Sequence, residues 1–175
     1  IFDITVGYAT SSDFNNENDT SYHDKKVNTY NQMAMVLMGY DSTGSVQTVR
    51  LFDRDGDLTG GGKITETVFV NFSRLLVKDE IKKQSFTTTF FTGGLTTAVD
   101  PEHSVRTGTE YTIGDYNANT TFKTNSPAGE VGIMYSGSEA LANTGVGLIF
   151  YQAGIAVVTG SIFNSNLPHE LADAR

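Results

Sequence analysis

Two adjoining stretches between residues 53 and 63 have spacing that suggests chemistry. Asp53-Arg54-Asp55-Gly56-Asp57 sets three carboxylates at alternate positions, as a loop does when it converges oxygens on a hard cation such as calcium. An EF-hand register fails here: Leu58 stands where glycine should follow the third carboxylate, and Ile64 stands where a bidentate glutamate should close the loop. A solvated turn at Asp55-Gly56 explains the same residues, so Asp53, Asp55 and Asp57 are candidates for a metal that the broken register argues against. No metal and no other cofactor is expected. Gly60-Gly61-Gly62-Lys63 invites a phosphate-loop reading, but Ile64 replaces the hydroxyl residue that would hold magnesium, and Asp57 replaces the upstream glycine. Gly145-Val146-Gly147 continues into an apolar run to Phe150 and is no dinucleotide fingerprint.

The remaining reactive residues form no constellation in the sequence. His23, His103 and His169 are far apart in polar segments, and no Gly-x-Ser-x-Gly elbow occurs. Acidic pairs such as Asp79-Glu80 and Asp100 with Glu102 are of the kind that flank a sugar in glycosidases, although surface solvation explains such pairs more often. Asn18-Asp19-Thr20, Asn71-Phe72-Ser73 and Asn119-Thr120-Thr121 match the glycosylation sequon, which has meaning only in a eukaryotic secretory context.

Composition narrows the classes of function. Twenty acidic residues against twelve basic ones give a formal charge of −8, which repels phosphate backbones and argues against direct nucleic-acid binding. The absence of cysteine excludes a disulfide scaffold and a cysteine-ligated zinc site. The uncharged segment Gly145 to Phe163 approaches the ~20 residues of a membrane-spanning helix. Its glycines, Gln152, Thr159, Ser161 and β-branched residues favour two buried strands instead, Val146 to Tyr151 and Ile155 to Ile162, with Gly154 at a bulge or bend. No membrane span and no secretory leader are expected within these residues.

The elements that would position any site follow from periodicity. Eighteen glycines, many threonines and serines and three prolines make a loop-rich β composition. Residues 1 to 8 alternate as a strand, and Ser11 to Asp24 form a polar arm that cannot repay its own ordering. From residue 25 to 38, Val27, Tyr30, Ala34, Leu37 and Met38 recur at helical steps, with Asp24 as a cap and Gly39 as the stop. Met33, Met35 and Met38 on this helix suit either core filling or an adaptable contact surface. Strands are expected at Gln47 to Phe52, Glu66 to Arg74, Ser85 to Phe91, Glu110 to Ile113, Thr120 to Thr124 and Val131 to Tyr135, with a short helix at Leu75 to Lys83. The expected fold is mainly β (α+β): an antiparallel sheet or sandwich-like domain spanning 1–175, with one packed helix near 25–38. Val70, Phe72, Ile155 and Val157 are expected in one core, and Arg74 is expected to hold acceptors where its strand ends.

Taken in order, several short motifs form a recognisable set. They are Tyr30 and Gln32 on the helix; Val70, Phe72 and Arg74 on the strong strand; Lys78, Ile81 and Phe86 beyond it; and Tyr151, Gly154, Ile155, Val157 and Val158 on the last strand. This pattern resembles virion structural proteins of large contractile-tailed phages of the marine and cyanobacterial type. Many relatives carry a Pro-Gly-Asn-Trp turn before the aromatic strand, where this chain has Lys82-Lys83-Gln84-Ser85-Phe86 and no tryptophan. The resemblance implies a non-enzymatic virion component at the tail or baseplate, or else at the head or neck, whose partners are identical copies and other virion proteins. Tyr30, Gln32, Met33, Met35, Phe72, Arg74, Tyr151 and Gly154 are its expected structural and interface residues. A secreted or surface module for glycan or calcium is the alternative, and a glycoside-processing enzyme is a third reading that rests on the acidic pairs alone.

Overall fold

The computed structural model describes residues 2–15, 20–41, 48–58, 60–72, 79–92, 109–137 and 145–163. Stretches of alternating and continuous apolar residues form the strands of one antiparallel sheet. In chain order these are β1 (Phe2–Tyr8), β6 (Glu66–Phe72), β7 (Thr87–Thr92), β8 (Thr109–Gly114), β9 (Lys123–Ser126), β10 (Gly129–Ser136), β11 (Gly145–Phe150) and β12 (Ile155–Thr159). Their spatial order is β1-β6-β12-β11-β10-β8-β7, with β9 also paired to β10. The sheet curls into a half-barrel, so the mainly β expectation holds. Two short ribbons stand apart from it: β2 (Tyr40–Asp41) with β3 (Thr48–Val49), and β4 (Phe52–Asp53) with β5 (Lys63–Ile64).

Helix α1 (Thr20–Leu37) begins earlier than its periodicity suggests, so Asp24 lies inside it and cannot cap it. Part of the expected polar arm is therefore helical; residues 16–19 lie outside the described set. Gly39, at φ +75°, closes the C-terminal end as expected, with its N–H and that of Met38 both bonded to Ala34 O. The expected strand at Gln47 to Phe52 is divided between β3 and β4. Thr120 and Thr121 belong to a short helix, α2 (Ala118–Thr121), and the last strand ends at Thr159 in a 3-10 turn (Gly160–Phe163). Of the expected helix at Leu75 to Lys83, residues 79–82 are irregular and Lys83 opens a turn.

Both faces of the sheet are apolar, and each has its own core. Against one face, Tyr30, Ala34, Leu37 and Met38 of α1 pack with Phe52 and Ile64 onto Phe69, Leu148, Phe150 and Val157. Against the other, Val70, Met134, Ile149, Ala156 and Val158 pack with Tyr151 and Ala118, and with the half-buried Phe72, Phe86, Phe90 and Phe122. The expectation of one shared core for Val70, Phe72, Ile155 and Val157 is thus corrected. Val70 pairs with Ala156, and Val157 with Phe69, so the two-residue period sends Val70 and Phe72 to one face and Ile155 and Val157 to the other.

Tyr30 ties the helix to the β4–β5 ribbon. Its hydroxyl donates to Ile64 O at 2.6 Å and accepts from Phe52 N at 3.2 Å. Phe52 in turn meets the rings of Tyr30, Phe69 and Phe150 at 5.4, 5.7 and 6.2 Å. Tyr30→Phe keeps the ring but removes both of the hydroxyl's buried hydrogen bonds. Denaturant unfolding should show a loss of about 1–3 kcal/mol; an unchanged midpoint would remove the hydroxyl from this role.

Candidate functional site

The three carboxylates singled out by the sequence do converge. Oxygens of Asp53, Asp55 and Asp57 lie within 4.8 Å of one another. Their local bonds explain this. Asp53 is fully buried in β4 and ion-paired to Lys63 across the ribbon. Asp57 N donates to Asp55 Oδ1 at 3.1 Å, and Asn125 Nδ2 donates to Gly56 O at 2.8 Å, so the loop is stitched at its tip. Arg54 turns away and donates to Ser161 Oγ at 2.7 Å. A cation entering this loop would compete with Lys63 for Asp53. The same pairing occupies the lysine of the glycine-rich stretch, which leads into strand β5 and not into a helix.

A second polar region lies at the turn between β11 and β12. Asp115, buried beside the end of β8, accepts from Gln84 N at 2.8 Å, from Phe86 N at 2.9 Å and from Tyr151 Oη at 2.9 Å. Gln84 sits at φ +61°, a left-handed conformation that costs a residue with a Cβ about 1–2 kcal/mol; the Asp115 carboxylate holds it there. Gly132 makes room for the latch, since a Cβ at that position would fall 2.0 Å from Tyr151 Oη. Beside it lies an open polar cleft of ≈ 680 Å³ lined by Asp79, Glu80, Lys82, Lys83, Asn119 and Gln152. Lys83 is paired with Glu130, lies 3.9 Å from Glu80, and sits over the rings of Phe122 and Tyr151. Its ammonium is held above the usual lysine range by the Glu130 hydrogen bond. Of the cleft's charged groups, Lys83 and Glu80 are thus engaged in ion pairs on an open surface.

The other sequence candidates separate by position. Tyr30 and Tyr151 are fully buried, and Gly154 closes the β11–β12 turn at φ +70°. Met33 and Phe72 are half-buried against the two cores, while Gln32 and Met35 face outward. Arg74, Lys78, His103, His169, Asp100 and Glu102 lie outside the described residues; His23 bonds the Tyr8 hydroxyl. No helix of the described residues is long and apolar enough to cross a membrane, and the uncharged segment 145–163 is the β11–β12 hairpin and its 3-10 turn.

Sequence reasoning did not single out the edge strand. β1 pairs only with β6 among the described strands, and Phe2, Ile4 and Val6 are 55, 57 and 40 % exposed on the face they share with Val68, Val70 and Phe72. Helix α1 lies on the other side, over Gly7, where a Cβ would come within 3.0 Å of Tyr30 N. The signal was present in the apolar Phe2-x-Ile4-x-Val6 alternation, but only the position of α1 shows which side is left bare.

No family model, no curated protein sequence and no solved structure matches the chain.

The two buried tyrosines set a pH dependence. Burial is the first cause raising both phenols, and the neighbouring Asp115 carboxylate adds to it at Tyr151. A phenol whose folded pKa lies above its unfolded value of about 10 contributes stability that is full below pH 10 and is lost as pH rises further. Thermal unfolding between pH 8 and 11 should show this alkaline decline, and Tyr151→Phe should make it shallower. An equally steep decline in the variant would deny Tyr151 a part in it.

Proposed function

We propose that the chain is a non-enzymatic structural component of a tailed-phage virion, at the tail or baseplate in preference to the head or neck. It acts through contacts with identical copies and with other virion proteins. The observation that carries this reading is the bare apolar stripe Phe2, Ile4 and Val6 on an edge strand. Natural edge strands are usually blunted by lysine, proline or a bulge. β1 has none of these: its seven residue pairs with β6 run without a register shift. The ordered resemblance of the helix and strand motifs to virion proteins supports the same reading. So does the local employment of the reactive groups, with Lys63 spent on Asp53 and Asp115 on Tyr151.

A secreted or surface calcium- or glycan-binding module is the second reading, favoured by the convergence of Asp53, Asp55 and Asp57. Sedimentation across a concentration series, with and without calcium, separates the two. The structural reading predicts a larger species that grows with concentration through a contact burying more than about 1,000 Å² in total, indifferent to calcium or chelator, and the chain's presence in an imaged particle. A monomer at every concentration, absent from particles and stabilised by calcium, would give the place to the binding module.

A further inference from the structure

Resting on that multi-copy reading, we infer that β1 is the contact strand: it pairs antiparallel with β1 of a second copy across a twofold axis at Ile4. The direction of the backbone groups is the first argument. Phe72 N donates to Gly154 O on the β12 side of β6, and Ala9 N donates to Thr65 O on its β1 side. Backbone groups alternate along a strand, so Thr67, Phe69 and Asn71 point at β1. Their partners Gly7, Thr5 and Asp3 are thereby engaged. The N–H and C=O groups of Phe2, Ile4 and Val6 are directed out of the sheet edge.

A second β1 can meet those groups only in registers that set even-numbered residues opposite one another, and charge chooses among these. Centring on Asp3 opposes two carboxylates, which is destabilising. Centring on Thr5 draws in Gly7, over which α1 sits with Lys26 O 3.1 Å from a Cβ built there, and crowds the two helices. Centring on Ile4 sets Ile4 against Ile4, Phe2 against Val6, and Asp3 against the Thr5 hydroxyl, which can donate to it. Aromatic with β-branched is among the favourable cross-strand pairs. The two apolar stripes then join on one face, and both helices lie on the other. Asp3 is the only charge within β1, so no other charged side chain of the strand enters the pairing.

The absence of native cysteine makes the test clean. In the full chain, Ile4→Cys and, separately, Val36→Cys are oxidised mildly and followed on non-reducing gels. Val36 is 60 % exposed on α1 and samples the rival apolar surface. Opposed residues of a hydrogen-bonded pair have Cα atoms about 5.5 Å apart, within disulfide reach. Ile4→Cys should therefore form dimers at least about tenfold faster than Val36→Cys. Ile4→Lys, at a surface position that leaves the fold's circular dichroism unchanged, should sediment as a monomer. If the wild type associates but Ile4→Cys does not cross-link preferentially, or Ile4→Lys associates like the wild type, the β1 pairing is overturned and the multi-copy reading stands. If the wild type is a monomer throughout, both fall together.

Discussion

A sheet that is apolar on both faces cannot leave either one to water, and the rest of the structure depends on how those faces are covered. β6 and β12 show the constraint most clearly: Phe69 and Val157 face one way, and Val70, Ala156 and Val158 face the other. One face is covered by α1 and the β4–β5 ribbon, which Tyr30 joins by two hydrogen bonds from a single hydroxyl. The other is covered by the sheet's own curl. Phe72 of β6 meets Phe86, just before β7, with ring centroids 5.7 Å apart, although five strand boundaries separate β6 from β7 in the sheet.

Covering a face with chain brings polar backbone into the interior, where unpaired groups cost about 1–3 kcal/mol each. The Asp115–Tyr151 latch answers this at the second face. One carboxylate satisfies two backbone N–H groups ahead of β7 and a phenol in the β11–β12 turn. The latch ties the segment ahead of β7 to the β11–β12 turn and so holds the curl. α1 covers β1 on the first face, over Gly7, but on the second face β1 lies beyond the curl. Its neighbour Phe72 is half-buried, whereas Phe2, 6.0 Å away ring to ring, is more than half exposed.

Much of this was legible in the sequence because period and turn chemistry are local. The strands around Val68 to Phe72 and Ile155 to Val158, the helix through Tyr30 and Leu37, and its stop at Gly39 all follow from spacing. What was not legible depended on partners distant in the chain. Val70 and Val157 read alike as buried, yet only the β6–β12 register assigns them to opposite cores. The Phe2, Ile4 and Val6 alternation would place those residues inward on its own, but α1 docks over Gly7 and takes the opposite side. Thr120 and Thr121 have strand propensity, yet they form α2, where their hydroxyls bond Asn117 O. In the acidic loop, the sequence showed the carboxylates and the broken register; the Lys63 partnership required the ribbon pairing of Asp53 with Lys63.

The central claim is that the outward backbone of β1 is satisfied by another copy of the chain. Site-resolved amide exchange across a dilution series tests it most directly. Asp3, Thr5 and Gly7, bonded to β6, should be protected at every concentration, whereas Phe2, Ile4 and Val6 should gain protection only as concentration rises. Exchange at the free rate for these three amides at all concentrations would contradict the account. So would full protection at the highest dilution, which would mean that the chain covers its own edge.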